Sequence, residues 1–153
     1  YQIDGAINQP KPIQKPYPTL WVCGGGEKVT LKLLAKYGDY GNWDVDVEGF
    51  IHKSNILKEH CKNENRNFND IGRTLHTNVL IAETKSDLDT KIDKLAEYTN
   101  IPKDYYYERP LIGTKDEVFN TIKEYENEGC SYLIAYVPDI VWGDTLNILS
   151  ELN

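Results

Sequence analysis

Four short apolar runs alternate along this chain with longer segments whose apolar residues recur at helical spacing. That alternation constrains the fold more than any other feature. Thr19–Cys23 (TLWVC), Asn42–Val47, Arg73–Ala82 (RTLHTNVLIA) and Ser131–Val137 read as strands. In the third, Leu75, Thr77, Val79 and Ile81 fall on one side, and Thr74, His76, Asn78 and Leu80 on the other. The unbroken apolar run Thr19–Cys23 suits a strand covered on both faces. Glu27–Tyr37 and Glu48–Asn65 read as helices, the first ended by Gly38. A third helix is capped by Ser86 and runs to about Tyr98, with Leu88, Ile92 and Leu95 on one face. Thr114 and Glu117 form a T-x-x-E capping box before a helix Asp116–Glu128, and a helix Asp144–Leu152 closes the chain. Strands separated by helices favour a parallel sheet with right-handed crossovers. The expected fold is α/β of the (β/α) TIM-barrel type, with about four βα units and one extra helix, against the eight units of a closed barrel.

At 153 residues the chain has the size of one domain. Residues 1–17 carry Pro10, Pro12 and Pro16 and are expected to form an extended lead-in, with the barrel-type domain spanning 18–153. A net charge of -7 argues against nucleic acid as a partner, because a polyphosphate backbone repels an acidic chain. The apolar runs are far too short to span a membrane, and Tyr1–Pro18 is polar and proline-rich, unlike a signal peptide. Cys23, Cys61 and Cys130 are odd in number, widely spaced and without a CxxC, as expected of free thiols in a reducing cytoplasm. The chain contains no methionine, so it is expected to be processed or part of something longer.

The stretch CGGGEK places Gly24, Gly25 and Gly26 between a strand and a helix. A helix N-terminus presents unpaired N–H groups and the positive end of the helix dipole. Glycines ahead of it admit φ > 0 and let an anion approach without a Cβ clash. The stretch therefore reads as a phosphate cradle with Lys28 available for charge, or else as a plain tight turn. It is neither GxGxxG nor a P-loop. In a parallel barrel this loop lies at the C-terminal ends of the strands, where sites are built.

Other candidates carry less. His52 and His60 lie eight apart beside Cys61, but no further ligand completes a metal set, so they read as a solvated helix face and no metal is expected. His76 and Asn78 read as a satisfied polar layer on the barrel's inner side. YYYERP (Tyr105–Pro110) reads as an aromatic loop packed on the rim, and Asp139 as a cap. No Ser–His–Asp or Cys–His arrangement is present in the spacing, so the catalytic residues are unknown.

Two blocks carry a family resemblance. INQPKPIQKPYPTLWVCGGGEKVTLKLLAKYGDYGNW resembles the middle of the luciferase-like monooxygenases, most of all the branch using the deazaflavin coenzyme F-420. LIGTKDEVFNTIKEYENEGCSYLIAYV is similar to the close of the same family, so the likeness runs from about Asp4 to Leu152. The resemblance implies the C-terminal half of a (β/α)8 barrel that binds F-420 or FMN and transfers a hydride to or from a small-molecule substrate. It implies that Cys23, Gly24, Gly25, Gly26, Lys28 and Asn42 face the cofactor, forming the wall on its phosphate side. The chain departs from the family at Cys23, at Asn42–Trp43 and at Lys115, where the family shows glycine, a transposed order and proline. The chain by itself is expected to be inactive. As a half-barrel it is expected to form a homo-oligomer or to pair with a missing N-terminal half. The alternative is a non-enzymatic half-barrel binding a phosphorylated ligand or a partner chain.

Overall fold

In a computed structural model, the structure describes residues 2, 4–7 and 9–152. Tyr1, Ile3 and Asn8 of the expected lead-in and Asn153 of the expected domain lie outside the described residues. The described residues before Trp21 form no helix or strand.

Among the described residues, five strands and six α-helices follow in the order β1 (Trp21–Cys23), α1 (Thr30–Tyr37), β2 (Tyr40–Trp43), α2 (Val47–Asn63), β3 (Gly72–Ala82), α3 (Lys85–Thr99), α4 (Lys103–Tyr107), β4 (Leu111–Thr114), α5 (Lys115–Asn127), β5 (Cys130–Tyr136) and α6 (Thr145–Leu149), with a 3-10 turn at Phe68–Asp70 before β3. All pairings are parallel. β3 is the hub: β2 pairs with its start, β5 with Arg73–Asn78 and β4 with Val79–Ala82. The expected α/β parallel architecture holds, with one more strand than the four expected. β4 is short and half glycine and threonine (LIGT), and it pairs only with the far end of β3.

The alternation in β3 sorts the two faces. Leu75, Val79 and Ile81 join Leu31 and Leu34 of α1, Phe50 and Leu57 of α2 and Val118 of α5 in the main core. On the opposite face, Leu80 and Ala82 pack against Leu88, Ile92 and Leu95 of α3 and Tyr106 of α4. Burying one such aliphatic side chain is worth about 1.5–3 kcal/mol, so these two clusters hold the sheet. YYYERP, expected as a loop, contains the short helix α4. Its packing role is as expected: Tyr106 is buried, and Tyr105 stacks under Arg109.

Several boundaries shift for physical reasons. The first helix starts at Thr30 rather than Glu27, because 27–29 form a turn. Gly38 follows its last residue with an extended backbone. β2 ends at Trp43, and Asp46 caps α2 by accepting from the Gly49 amide at 2.8 Å. Thr84, not Ser86, caps α3, accepting from the Asp87 amide at 3.2 Å. The capping box is present: the Thr114 amide donates to Glu117 Oε2 at 3.0 Å. The closing helix reaches only Leu149.

β1 is an edge strand rather than a covered one, since among the described residues β2 is its only partner, and Trp21 keeps 41% of its surface exposed. Trp21 stacks on Tyr40 at 4.5 Å and meets Tyr132 edge-on at 6.0 Å. Gly72 permits this cluster, because a Cβ there would run into the Tyr40 ring. Tyr132, Ile134 and Tyr136 of β5, the other edge, are exposed. Among the described residues no helix is long and apolar enough to cross a membrane.

Candidate functional site

The glycine stretch sits where β1 ends. Gly24 has φ +104, a conformation that L side chains rarely adopt, and its amide donates to the Asn42 carbonyl at 3.1 Å. The Gly26 carbonyl accepts from the Leu31 amide at 3.0 Å, which ties the loop to the first turn of α1. Among the described hydrogen bonds the amides of Gly25, Gly26, Glu27 and Lys28 have no partner. Lys28 is exposed and forms no ion pair among the described residues.

Cys23 and Asn42 are register partners on β1 and β2, and Thr74 continues the row on β3. Asn42 Nδ2 lies 3.9 Å from Cys23 Sγ, and the single proton of the buried Thr74 hydroxyl is shared between the Gly41 carbonyl, 2.9 Å away, and Asn42 Oδ1, 3.0 Å away. The Asn42 side chain is thus oriented by Thr74 toward the thiol beside the glycines. The sequence-predicted residues Cys23, Gly24, Gly25, Gly26 and Asn42 come together here, with Lys28 two residues further along the loop. All three cysteines are free, Cys23 the exposed one; burial pushes the Cys61 and Cys130 thiols up.

The loop's other neighbour is α2. Lys53 Nζ donates to the Gly25 carbonyl at 2.8 Å and lies 3.4 Å from Glu27 Oε1. His52 Nε2 lies 3.0 Å from the same carboxylate oxygen, and His60 Nε2 lies 2.8 Å from the Glu27 carbonyl. The hydrogen bond from His52, then that from Lys53, holds the Glu27 carboxyl below its usual range. The two histidines, expected to be solvated helix face, are half committed to this contact: the His52 side chain stays 61% exposed while touching Glu27. Sequence reasoning missed Lys53 and Glu27. The spacing of His52 and His60 marked the right helix face, but not that this face meets the glycine loop. Among the described residues no group of three or more His, Cys, Asp or Glu could hold a metal.

Elsewhere, His76 is exposed, and Asn78 donates to the Tyr105 hydroxyl at 3.3 Å. Leu80 is fully buried under α3, and Leu133 packs against the main core. Asp139 is more than a cap. It is wholly buried, accepts from Thr145 Oγ1 at 2.8 Å and pairs with Lys91 at 3.1 Å. A cleft of about 310 Å³ opens between α5 and β5, and a groove of about 450 Å³ beside Tyr98 and Trp142. Neither touches the glycine loop.

Against solved structures the whole chain superposes on an F420-dependent secondary alcohol dehydrogenase, solved in complex with an F420–acetone adduct, with a TM-score of 0.75 at 14% identity. The parallel βα architecture is therefore shared with that protein. The coenzyme F420 dependent tetrahydromethanopterin reductase from Methanopyrus kandleri matches 84% of the chain with a TM-score of 0.58 at 13% identity. The oxygenating constituent of 3,6-diketocamphane monooxygenase from the CAM plasmid of Pseudomonas putida, in complex with FMN, matches 88% with a TM-score of 0.60 at 12% identity. The chain spans 52%, 47% and 48% of these three proteins, about half of each. No protein-family model and no curated protein matches the sequence. At these identities the likeness concerns the fold.

Proposed function

We propose that this chain supplies the phosphate-side wall of a cofactor site, for coenzyme F-420 or FMN, in a luciferase-like oxidoreductase or monooxygenase acting on a small molecule. The observation that carries the reading is the row of amides at Gly25–Lys28, without a partner among the described hydrogen bonds, at the C-terminal end of a parallel strand and with the exposed Lys28 in the same row. Backbone amides and a nearby cation suit a phosphate, and in parallel α/β folds this end of the sheet is where ligands bind. Three of the matched folds, by their descriptions, belong to proteins that depend on F420 or were solved with FMN. Bound there, such a cofactor would supply the hydride chemistry. The chain's own part is to hold the phosphate on the loop amides, with Lys28 adding charge and Cys23 and Asn42 lining the neighbouring wall.

Fluorescence titration of F-420 and of FMN tests this. Binding is expected in the wild-type chain and is lost in Gly25→Val. A Cβ at Gly25 would come within 2.5 Å of Lys53 Cε, the mobile end of a long side chain, so the variant is expected to stay folded. Failure to bind either cofactor, or equal affinity in the variant, overturns the reading.

A partner chain is favoured by a separate observation. β1 and β5 are both free edges, and Trp21, Tyr132 and Tyr136 lie exposed between them. A second copy is the simplest occupant, because two copies about a twofold axis cover both open faces at once. Light scattering is expected to give a dimer or larger; a monodisperse monomer that binds no apolar dye refutes this.

A further inference from the structure

The residues of α2 that reach the glycine loop act on its carbonyls. Lys53 holds the Gly25 carbonyl, and His60 faces the Glu27 carbonyl at 2.8 Å. The Gly25–Gly26 and Glu27–Lys28 peptides are trans, so in each the N–H points opposite to the C=O. With both carbonyls turned to α2, the amides of Gly26 and Lys28 are turned together to the side away from it. His52 adds a third hold through the Glu27 carboxylate. We propose that α2 is a proton-sensitive clamp: Lys53 and His60 are positioning residues that aim the Gly26 and Lys28 amides in one direction, and the clamp tightens when its histidines are charged.

Histidine is the side chain whose charge ordinarily changes between about pH 5 and 8. A charged imidazole donates a stronger hydrogen bond to a carboxylate than a neutral one does. The charged groups in contact with the clamp are Glu27 from the loop and Lys53 from α2 itself. Lys28 on the loop and Lys32 and Lys36 on α1 pair with no α2 side chain among the described residues. Glu27, held acidic by His52 and Lys53, stays ionised throughout. Loss of imidazole charge as pH rises therefore loosens the hold on Glu27.

This regulation rests on the cofactor-site reading only for what the loop receives, and the test separates the two. In isotope-labelled chain, the amide resonances of Gly26 and Lys28 are followed by NMR from about pH 5.5 to about pH 8.5. They are expected to move together with the ring resonances of His52 and His60, and to stop moving in His52→Gln combined with His60→Gln. Lys53→Met is expected to displace the Gly26 amide, and Lys53→Arg to restore it, which loss of packing alone does not produce. Inorganic sulfate, whose charge is constant over this range, is expected to bind about two- to fivefold more tightly at the acid end, the size of one exposed ion pair. Loop resonances that stay flat while the histidines titrate overturn the clamp, whether or not FMN binds. Resonances that track the histidines in a chain that binds neither FMN nor sulfate uphold the clamp and overturn the cofactor site.

Discussion

Two lysine-centred charge clusters among the described residues have lysines that are about equally covered, and they differ in the burial of the acid each lysine meets. At the glycine loop, a Lys53 side chain only 15% exposed meets His52 and Glu27 at the surface, where the Glu27 side chain is 45% exposed. At the far end of β3, Lys91 reaches the Ile81 carbonyl, Thr145, Asp139 and Asp144 from a side chain only 12% exposed, and Asp139 is wholly buried. Lys91, by a hydrogen bond, holds the exposed Asp144 carboxyl below its usual range. Exposed pairs are screened and contribute about 0–1 kcal/mol, whereas removing one partner of a buried pair strands the other charge at a cost of about 3–5 kcal/mol. The buried cluster therefore fixes α3, β3 and the segment before α6 to one another. The surface cluster can rearrange at little cost, as a loop that receives a ligand requires.

The largest expected effect tests the buried side. Lys91→Met leaves the Asp139 carboxylate without its cation and is expected to destabilise the fold by about 3–5 kcal/mol in urea unfolding. Asp139→Asn leaves Lys91 its bond to Asp144, so a smaller loss is expected. Equal losses from the two changes would erase the distinction drawn here. Next in size is Gly24→Ala, which forces a side chain onto φ +104 and is expected to cost about 1–3 kcal/mol without touching either charge cluster. His52→Gln is expected to leave the unfolding midpoint nearly unchanged while flattening the pH response of the loop; a large drop in stability would place His52 with the buried kind of contact. The smallest concerns Glu117. The Thr114 amide, then Lys85, hold its carboxyl down at about 2. A depressed carboxylate adds stability that is complete above its unfolded pKa and is lost as pH falls from about 4.5 toward about 2. Glu117→Gln is expected to reduce the slope of stability against pH in that window and leave neutral pH nearly unaffected.

What the sequence made legible, and what it hid, follows the same divide between local and distant causes. β3 could be read directly, because eight successive residues alternate between two faces and each face later finds a core. The Thr114–Glu117 cap was equally local. β4 was hidden because LIGT has no pattern of its own and becomes a strand only by lying along the end of β3. The covering of Leu80 was hidden because alternation gives a side but not its cover, and the cover is α3, folded back over that end of the strand. At the site, the glycines, Cys23 and Asn42 could be named from order and resemblance. Lys53 could not, since its role depends on α2 lying beside a loop some 28 residues earlier.

The central position of β3 also has a consequence in time. Its partners come from both directions along the chain, and β5 pairs with it from nearly 60 residues downstream, where the Ser131 hydroxyl meets the Arg73 carbonyl 58 residues away. During synthesis, β1, α1, β2 and α2 can assemble on the first half of β3 as they emerge. The opposite edge of β3 must wait until Tyr136 has left the ribosome. Contacts of such separation slow folding and leave a strand edge bare in the interval. A nascent chain halted before β5 therefore leaves that edge of β3 without its partner.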